Sequence, residues 1–442
     1  MSIETPKTAT GAGIEEDTAS DSGRTETALT PLLRNRDYML LWSGQMVSQL
    51  GSGISQLALP LLVLYLTRSH AQPDGSPAQA GGVAAAFAIP YIVFSLPAGA
   101  LIDRWNRKRV MILCDIGRAA NAASIPIVAA LGQLTVPQLY VNTLIEGSLF
   151  VFFNLAEVSC LPRVVPKEQL SSAGAQNEGG SIATGLIAPP LGGLIFQVLG
   201  RTAPFLFDAV SYAASVISLS FIGASFQGER TAEKRALRVE IAEGLSWLWR
   251  QPLIRYMAFL TGGLNFGNAA IGLIAIVAAK NEGAPPAAIG VVFSIASIGG
   301  IMGAVAAPRI QRRYRFGQVI IATLWVEAAL WPLLIFAPNV VVLGIILGAI
   351  FVTGPIYNAV QLSYRLRLIP DRLQGRVNSA FRLLAFGFQP LGAALCGLLL
   401  QGLNTAPTIL IFSAVVLALA LLTTVNAHVR KAGYASEAPQ VA

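Results

Sequence analysis

Long apolar runs separated by short polar connections make up most of this chain. Charge-free stretches cover 38–67, 75–102, 119–145, 179–200, 209–228, 256–279, 283–308, 328–364 and 383–429. A helix needs about 20 mostly apolar residues to cross a bilayer, so the longer stretches each contain two helices joined by a short turn. The pattern predicts twelve spans, at 38–66, 79–102, 109–131, 137–160, 172–199, 203–223, 253–279, 286–307, 317–337, 340–364, 375–401 and 405–427.

Polar segments divide these spans into two groups of six. Residues 1–30 are rich in Thr, Ser, Ala and Glu, which predicts a disordered tail. The longest internal polar segment, 224–252, links an N-terminal bundle (31–223) to a C-terminal bundle (253–427), and 428–442 forms a second tail. In the linker, Leu237, Ile241, Leu245 and Leu248 share one helical face. This spacing predicts an amphipathic helix along the inner membrane surface.

Two short motifs of the first half recur in the second half. Gly-Ala at 99–100 recurs at 303–304, and Pro-Leu-Gly-Gly at 190–193 recurs as Pro-Leu-Gly-Ala at 390–393. Parallel repeats of this kind place a substrate site between the halves and let the halves rock against each other. The sequence therefore predicts transport by an all-α integral membrane protein, with 12 transmembrane helices in two pseudo-symmetric six-helix bundles.

Composition and charge agree with a membrane location. The chain is 54% hydrophobic and 12% charged, whereas soluble domains are about 25% charged. Its net charge of +8 comes from cations between the spans, which argues against a nucleic-acid partner. With a cytoplasmic N-terminus, only Arg68, Arg201 and Lys280 of the 31 Lys and Arg fall in outer loops. We therefore expect a multi-pass protein of the cytoplasmic (inner) membrane with both termini cytoplasmic.

The residues that catalysis or metal binding would require are sparse. The two histidines, His70 and His428, lie in an outer loop and at the end of the last span, and Cys114, Cys160 and Cys396 lack ligand-like spacing. The sequence also lacks the Gly-x-x-x-x-Gly-Lys-[Ser/Thr] phosphate loop. We expect no enzyme, no cofactor and no metal. The expected partners of this monomeric secondary transporter are a small-molecule substrate, membrane lipids and a coupling proton.

The hairpin after span 2 carries the clearest motif, Gly99-Ala-Leu-Ile-Asp103-Arg104-Trp-Asn106-Arg107-Lys108. It resembles the Gly-x-Leu-x-Asp-Arg-x-Gly-Arg-Lys motif of the major facilitator superfamily. Asn106 replaces the second glycine. Because Asn tolerates the left-handed backbone conformation, this replacement is compatible with a tight hairpin.

The resemblance implies a gating role for this motif. Asp103 is expected to meet the positive end of another helix, at the start of span 11, and so to close the inner side. Arg104 and Arg107 are expected to pair with Asp115 and Glu157. The alternative is that the cations only set the topology.

Two further stretches resemble parts of this superfamily. The run Pro189-Pro190-Leu-Gly192-Gly193 resembles the Gly-Pro-x-x-Gly-Gly motif that marks antiporters and exporters; its alternative is a proline-bent helix with small residues for close packing. Residues 152–176 and 204–212 resemble the branch that contains macrolide-efflux and enterobactin-export proteins. The resemblance implies efflux of a small amphipathic compound, of drug, macrolide or siderophore type, by proton antiport. An importer or a lysophospholipid flippase is the nearer alternative, and a receptor or scaffold the more distant one.

A few polar residues lie within the predicted spans. An ionisable group at a helix centre costs at least about 2.5 to 3.5 kcal/mol in a bilayer, so each needs a reason. Glu146, near the middle of span 4, is either the proton-coupling group or a structural hydrogen-bonding group. We expect a structural role for Asp208, and helix packing rather than proton transfer for Glu327. The family's cavity-lining helices imply a substrate cavity lined by Gln45, Gln49, Phe150, Asn265, Asn268, Tyr357, Asn358 and Gln361. Each amide can instead simply join two helices.

Overall fold

The computed structural model describes residues 31–102, 105–224, 226, 237–370 and 373–433, which are mainly helical. The first half contains α1 (Arg36–Leu66), α2 (Pro77–Ile102), α3 (Arg107–Ala130), α4 (Val136–Val164), α5 (Leu170–Val198) and α6 (Ala203–Phe221). The helix α7 (Leu237–Arg250) lies in the linker. The second half contains α8 (Pro252–Asn281), α9 (Pro286–Arg313), α10 (Phe316–Leu330), α11 (Val340–Leu368), α12 (Gln374–Gly387), α13 (Gln389–Leu403), α14 (Thr405–Val425) and α15 (Ala427–Lys431).

Twelve helical segments of the described chain are long and apolar enough to cross a membrane, which confirms the twelve predicted spans. Two spans are not single regular helices. Span 9 continues beyond α10 as a 3-10 helix, Trp331–Phe336, which contains Pro332. Span 11 turns at Phe388 between α12 and α13, because Pro390 has no N–H to donate to the preceding turn. Next to this interruption, Asn265 of α8 donates to the carbonyl of Ala385 at 2.8 Å.

The two halves meet along two pairs of spans: α2 contacts α12 and α13, which together form span 11, and α5 contacts α9. We call the ends of the helices near loops 67–76, 131–135, 199–202, 282–285, 337–339 and residue 404 the outer ends, and the opposite ends the inner ends. At the outer ends, Lys280 Nζ lies 3.1 Å from Asp74 Oδ1. Ser76 Oγ also donates to Gln401 Oε1 at 2.7 Å. These bonds hold the halves together on the outer side.

Helix α7 packs against α12 at the inner side of the second half. Glu243 pairs with Arg376 of α12, and Leu248 is fully buried. Leu245 and Trp249 are exposed, so they are available to the membrane interface. The side chains of Leu237 and Ile241, the tail 1–30 and the segments 227–236 and 434–442 lie outside the described residues.

Candidate functional site

An ion pair between a buried arginine and a partly buried glutamate joins α3 to α4 in the first half. Arg118 Nε lies 2.7 Å from Glu146 Oε1, and Arg118 Nη1 lies 3.7 Å from Asp115 Oδ1. Arg118 is 5% exposed and Asp115 is fully buried. Charges inside a membrane protein are stabilised by pairing within the bundle, which these three residues achieve at the depth where a cation would otherwise be costly.

Aromatic rings surround the Arg118 guanidinium. Its carbon lies 4.2 Å from the ring centroid of Tyr212, 5.6 Å from that of Phe153 and 5.7 Å from that of Phe150. The Tyr212 hydroxyl also donates to Glu146 Oε1 at 2.9 Å. Cation–π contacts of this kind stabilise a planar guanidinium in a fixed orientation. Glu146 is therefore held from two sides, by Arg118 and by Tyr212.

A chain of hydroxyl groups extends this cluster to Asp208 of α6. Ser55 Oγ donates to Asp208 Oδ2 at 2.5 Å and Ser52 Oγ donates to Asp208 Oδ1 at 3.5 Å. Ser52 Oγ also lies 2.8 Å from the Tyr212 hydroxyl. Polar contacts along Asp208–Ser52–Tyr212–Glu146 thus connect two carboxyl groups on two helices. Because each hydroxyl has one proton, all three contacts are hydrogen bonds only when one of the two carboxyl groups is protonated. We call Asp115, Arg118, Glu146, Asp208 and Tyr212, with Ser52 and Ser55, the polar network.

A glycine of α1 brings the serines of this network close to α6. A Cβ added at Gly51 would lie 2.0 Å from Ser211 Oγ and 3.0 Å from Asp208 Oδ1. Only glycine permits an approach this close, as in other small-residue contacts between membrane helices. Gly51 therefore explains why two hydroxyls of α1 reach a carboxylate of α6.

A small cleft of about 120 Å³ lies next to this network between the inner ends of α1, α4 and α5. Gln45, Glu157 and Asn177 contribute its polar lining. The Nε1 of Trp42 and the Nε2 of Gln45 are buried there without a hydrogen-bond partner. Glu157 is also within electrostatic reach of Asp115 and Arg118. The cleft thus extends the acidic region of the first half toward the inner ends.

The structure places only part of the gating motif. Asp103 and Arg104 lie outside the described residues, and Gly99 lies in α2. Lys108 Nζ donates to the carbonyls of Ile222 at 2.7 Å and Ser220 at 3.2 Å, where a cation stabilises the end of α6. Asp115 pairs with Arg118 of its own helix. Arg107 and Glu157 each lie within electrostatic reach of Cys160. The predicted pairing of Arg107 with Glu157 itself stays a prediction.

The left-handed conformation that we considered for Asn106 is wrong. Its φ is −72° and its ψ is 108°, an extended backbone. Its side-chain oxygen accepts from the backbone N–H of Arg109 at 3.1 Å. Asn106 is the N-cap of α3, which is a common role for Asn at this position.

The glycines of the antiporter-like motif let α5 contact two helices at once. A Cβ at Gly192 would lie 2.6 Å from the carbonyl oxygen of Ile54 in α1, and one at Gly193 would lie 2.1 Å from that of Pro286 in α9. A Cβ at Gly290 of α9 would lie 2.3 Å from the carbonyl oxygen of Pro189 and 2.6 Å from the Cα of Pro190. The motif therefore packs the two halves together at their outer ends.

We predict that Gly193→Leu opens the outer side, because a side chain at this position collides with the backbone of α9. The reporter is Ser76→Cys, a buried position that bonds to the opposite half. Labelling of this cysteine by a membrane-impermeant maleimide should become severalfold faster. Gly272→Leu in α8, where nothing lies within 4 Å of an added Cβ, is the control. Equal labelling in both variants would contradict this role for the motif.

The predicted cavity residues fall into three groups. Several of them join helices: Gln49 accepts from Ser181 at 3.1 Å, Asn265 donates to Ala385, and the Tyr357 hydroxyl lies 2.8 Å from Thr261 Oγ1. Asn268 and Asn358 are exposed although they lie well inside α8 and α11. Exposed amides at such depth indicate a water-filled space rather than lipid. Gln45, Phe150 and Gln361 are buried or partly buried.

Sequence reasoning missed Arg118 as the partner of Glu146. The available signal was depth in the membrane. Counted from the outer ends of the two antiparallel helices, Ala130 of α3 and Val136 of α4, Arg118 and Glu146 lie at about the same depth. Glu327, for which we expected a packing role, accepts a hydrogen bond from Thr353 of α11 in a buried setting. Among the described residues, no group of three or more His, Cys, Asp or Glu side chains is arranged to hold a metal ion.

Comparison with known proteins supports the transporter assignment. The chain is 27% identical over 428 residues to the multidrug efflux pump Tap of Mycolicibacterium fortuitum, covering 93% of this chain and 100% of that protein. It is 27% identical over 229 residues to macrolide efflux protein A of Streptococcus pyogenes, covering 51% of this chain and 54% of that protein. These similarities confirm the resemblance to the macrolide-efflux branch.

Solved structures agree on the fold. A bacterial homologue of the iron transporter ferroportin, in an inward-facing state, superposes with a TM-score of 0.69 at 16% identity, covering 89% of this chain and 99% of that one. The nucleoside transporter NupG superposes with a TM-score of 0.67 at 16% identity, covering 90% and 99%. The Major Facilitator Superfamily model matches residues 41–389. Its extent, together with the twelve helices in two halves, shows that the chain belongs to the Major Facilitator Superfamily.

Proposed function

We propose that this transporter exports a small amphipathic compound across the cytoplasmic membrane in exchange for protons. Two efflux proteins among its relatives, one named for multiple drugs and one for macrolides, support export rather than import. The cation-rich inner ends support a cytoplasmic location for both termini. The substrate is of drug, macrolide or siderophore type.

The arrangement of the halves supports loading from the inner side. Outer closure is made by the Ser76–Gln401 bond, the Lys280–Asp74 pair and the close packing of Gly193 on α9. The amides of Asn268 and Asn358 are exposed, and we infer that they line the space between the halves. A compound from the cytoplasm or the inner leaflet enters this space, and rocking of the halves then releases it outside.

The polar network is the observation that carries the coupling proposal. Glu146 pairs with the buried Arg118 and is connected through Tyr212 and Ser52 to Asp208. Protonation of Glu146 removes the negative charge that pairs with Arg118. The free-energy difference between two helix arrangements of the first half then depends on whether Glu146 is protonated, and protonation favours the second arrangement. Proton binding and the change of access are thereby coupled.

Asp103 completes the proposed cycle on the inner side. When the halves close there, its carboxylate meets the positive helix end at the start of span 11 and stabilises the outward-open state. In the arrangement described above, in which the outer side is closed, the proposed cycle does not use this contact. Asp103 is thus proposed as a gate, and Glu146 as the proton-binding group.

The test is substrate accumulation in cells that express or lack the protein, with fluorescent dyes, macrolides and siderophores as probes. We expect expressing cells to accumulate less of at least one probe. Collapsing the proton gradient with an uncoupler should abolish this difference. Higher accumulation in expressing cells would assign import instead, and a difference that survives the uncoupler would contradict proton coupling.

A further inference from the structure

Two arginines of the second half lie close together without a carboxylate among their described contacts. Arg365 is in the last turn of α11 and is 8% exposed. Its guanidinium carbon lies 3.8 Å from the ring centroid of Phe381, and its Nε is buried without a hydrogen-bond partner. Arg382 of α12 is exposed and donates to the hydroxyl of Tyr91 in α2.

The buried guanidinium of Arg365 is incompletely satisfied. A guanidinium carries five N–H donors in one plane, and stacking on Phe381 uses only its face. Burying such a charge without an anion is unfavourable. Arg382 lies within electrostatic reach of Arg365, so each cation destabilises the other. An anion that enters beside the two side chains would stabilise both.

The position of Arg382 indicates the route by which an anion would reach the two arginines. It lies in the membrane-spanning part of the chain, yet it is exposed. An exposed arginine inside a membrane faces a water-filled space rather than lipid. Its bond to Tyr91, and the 5.5 Å separation between the ring centroids of Tyr91 and Phe386, place it where α2 of one half meets α12 of the other. Arg382 is therefore reached from the space between the halves, and Arg365 lies within electrostatic reach of it.

The acidic and basic groups inside the two halves are balanced differently. In the first half, the buried Asp115 and Asp208 and the partly buried Glu146 outnumber Arg118. In the second half, one buried carboxyl group, Glu327, is matched by one buried guanidinium, Arg365, and the exposed Arg382 adds a second cation. An anionic group in the central space is therefore more favourable beside the second half than beside the first.

We propose that Arg365 and Arg382 form a subsite for an anionic group, a carboxylate or phosphate, on the exported compound. A planar carboxylate or a phosphate matches the parallel N–H donors of a guanidinium. The subsite rests on the proposed export function, and it narrows the substrate class to amphipathic anions. The apolar part of such a compound would contact the aromatic side chains nearby, including Phe386.

The test compares two probes that share one fluorophore, dansylglycine with a carboxylate and dansylamide without one. Both are titrated into the full-length protein in phosphatidylcholine nanodiscs, and the ratio of their dissociation constants is measured. We expect the wild type to prefer dansylglycine. Arg382→Gln and Arg365→Gln should each lower this preference by about tenfold or more, the loss expected for one charged hydrogen bond. Arg382→Lys should retain part of it.

Two controls separate an anion site from other roles. Arg367→Gln removes an exposed cation two residues from Arg365 and should leave the preference unchanged. Tyr91→Phe removes the hydroxyl that joins Arg382 to the first half, and should also leave it unchanged. Binding of dansylamide reports that each variant is folded, and exposed Arg382 provides a variant that does not disturb the core.

The proposal is overturned if the wild type binds both probes equally, or if neither Arg382→Gln nor Arg365→Gln changes the ratio. Nanodiscs with added phosphatidylglycerol test the other source of the same chemistry. Competition by this lipid that is lost in Arg382→Gln would assign the subsite to a lipid headgroup instead of the cargo. These results are independent of export: a protein with the arginine-dependent preference and no export keeps the subsite and loses the proposed function. Export of dansylamide, combined with a ratio of dissociation constants that the arginine substitutions leave unchanged, keeps the proposed function and rejects the subsite.

Discussion

Replacing Arg118 by methionine should destabilise the protein by about 3 to 5 kcal/mol, the cost of removing one partner from a buried ion pair. The guanidinium neutralises Glu146 at 2.7 Å and lies 3.7 Å from the fully buried Asp115. Methionine fills much of the same space between Tyr212 and Phe153 but carries no charge. The variant therefore leaves two carboxylates of the network without their cation.

The midpoint of thermal unfolding in detergent, followed by size-exclusion chromatography of a fluorescent fusion, measures this effect. Arg109→Met is the matched control, because Arg109 is an exposed arginine of the same helix. Adding Glu146→Gln to Arg118→Met should recover part of the loss, since the second change removes one unpaired charge. Equal midpoints for Arg118→Met and Arg109→Met would contradict a stabilising role for the ion pair.

Glu146→Gln should reduce export to the level of cells that lack the protein. Glutamine has nearly the same shape as glutamate, and its carbonyl oxygen can still accept from Arg118 and Tyr212. It cannot release or bind a proton in the transport cycle. Arg118 keeps Asp115 at 3.7 Å as a counter-charge in this variant. We therefore expect a protein that still folds but no longer uses the proton gradient, and drug accumulation together with membrane expression level measures both properties.

Glu327→Gln is the matched control for this experiment. Glu327 is also a buried carboxylate inside a span, and it accepts a hydrogen bond from Thr353. Glutamine can accept the same bond, so we expect export to continue. Export that survives Glu146→Gln would remove Glu146 from the coupling mechanism, and export that is lost only in Glu327→Gln would move the proton site to the second half.

Hydropathy predicted the spans well because a membrane helix must satisfy its backbone internally and cover it with apolar side chains. The first span, predicted at 38–66, is observed at Arg36–Leu66. The interruption at Phe388 was not anticipated. Proline is tolerated in membrane helices, and whether it bends or interrupts one depends on a partner such as Asn265, which bonds to the Ala385 carbonyl.

The polar network was only partly predictable. Glu146 was recognised because it is a carboxylate in the middle of a span. Arg118 was not predicted as its partner, because it immediately precedes the charge-free stretch 119–145. Their contact depends on how α3 and α4 are rotated about their axes, which the sequence pattern constrains weakly. Asp208 was assigned a structural role, and its link to Glu146 depends on hydroxyl groups from α1 and α6.

The motifs were informative about packing and less so about conformation. The glycines at 192 and 193 do bring helices into close contact, as small residues in membrane helices commonly do. Asn106, in contrast, replaces a motif glycine by capping α3 rather than by adopting a left-handed backbone. The gating role of Asp103 remains a prediction.

Proton movement in proteoliposomes tests the central claim most directly. The purified protein is reconstituted with a pH-sensitive dye inside the vesicles, and a substrate identified in the accumulation assay is added. For the wild type we predict that protons move in the direction opposite to the substrate, which the dye records as a substrate-dependent change of the internal pH. We predict no change for Glu146→Gln and a normal change for Glu327→Gln. A pH change of undiminished size in Glu146→Gln vesicles would contradict the account.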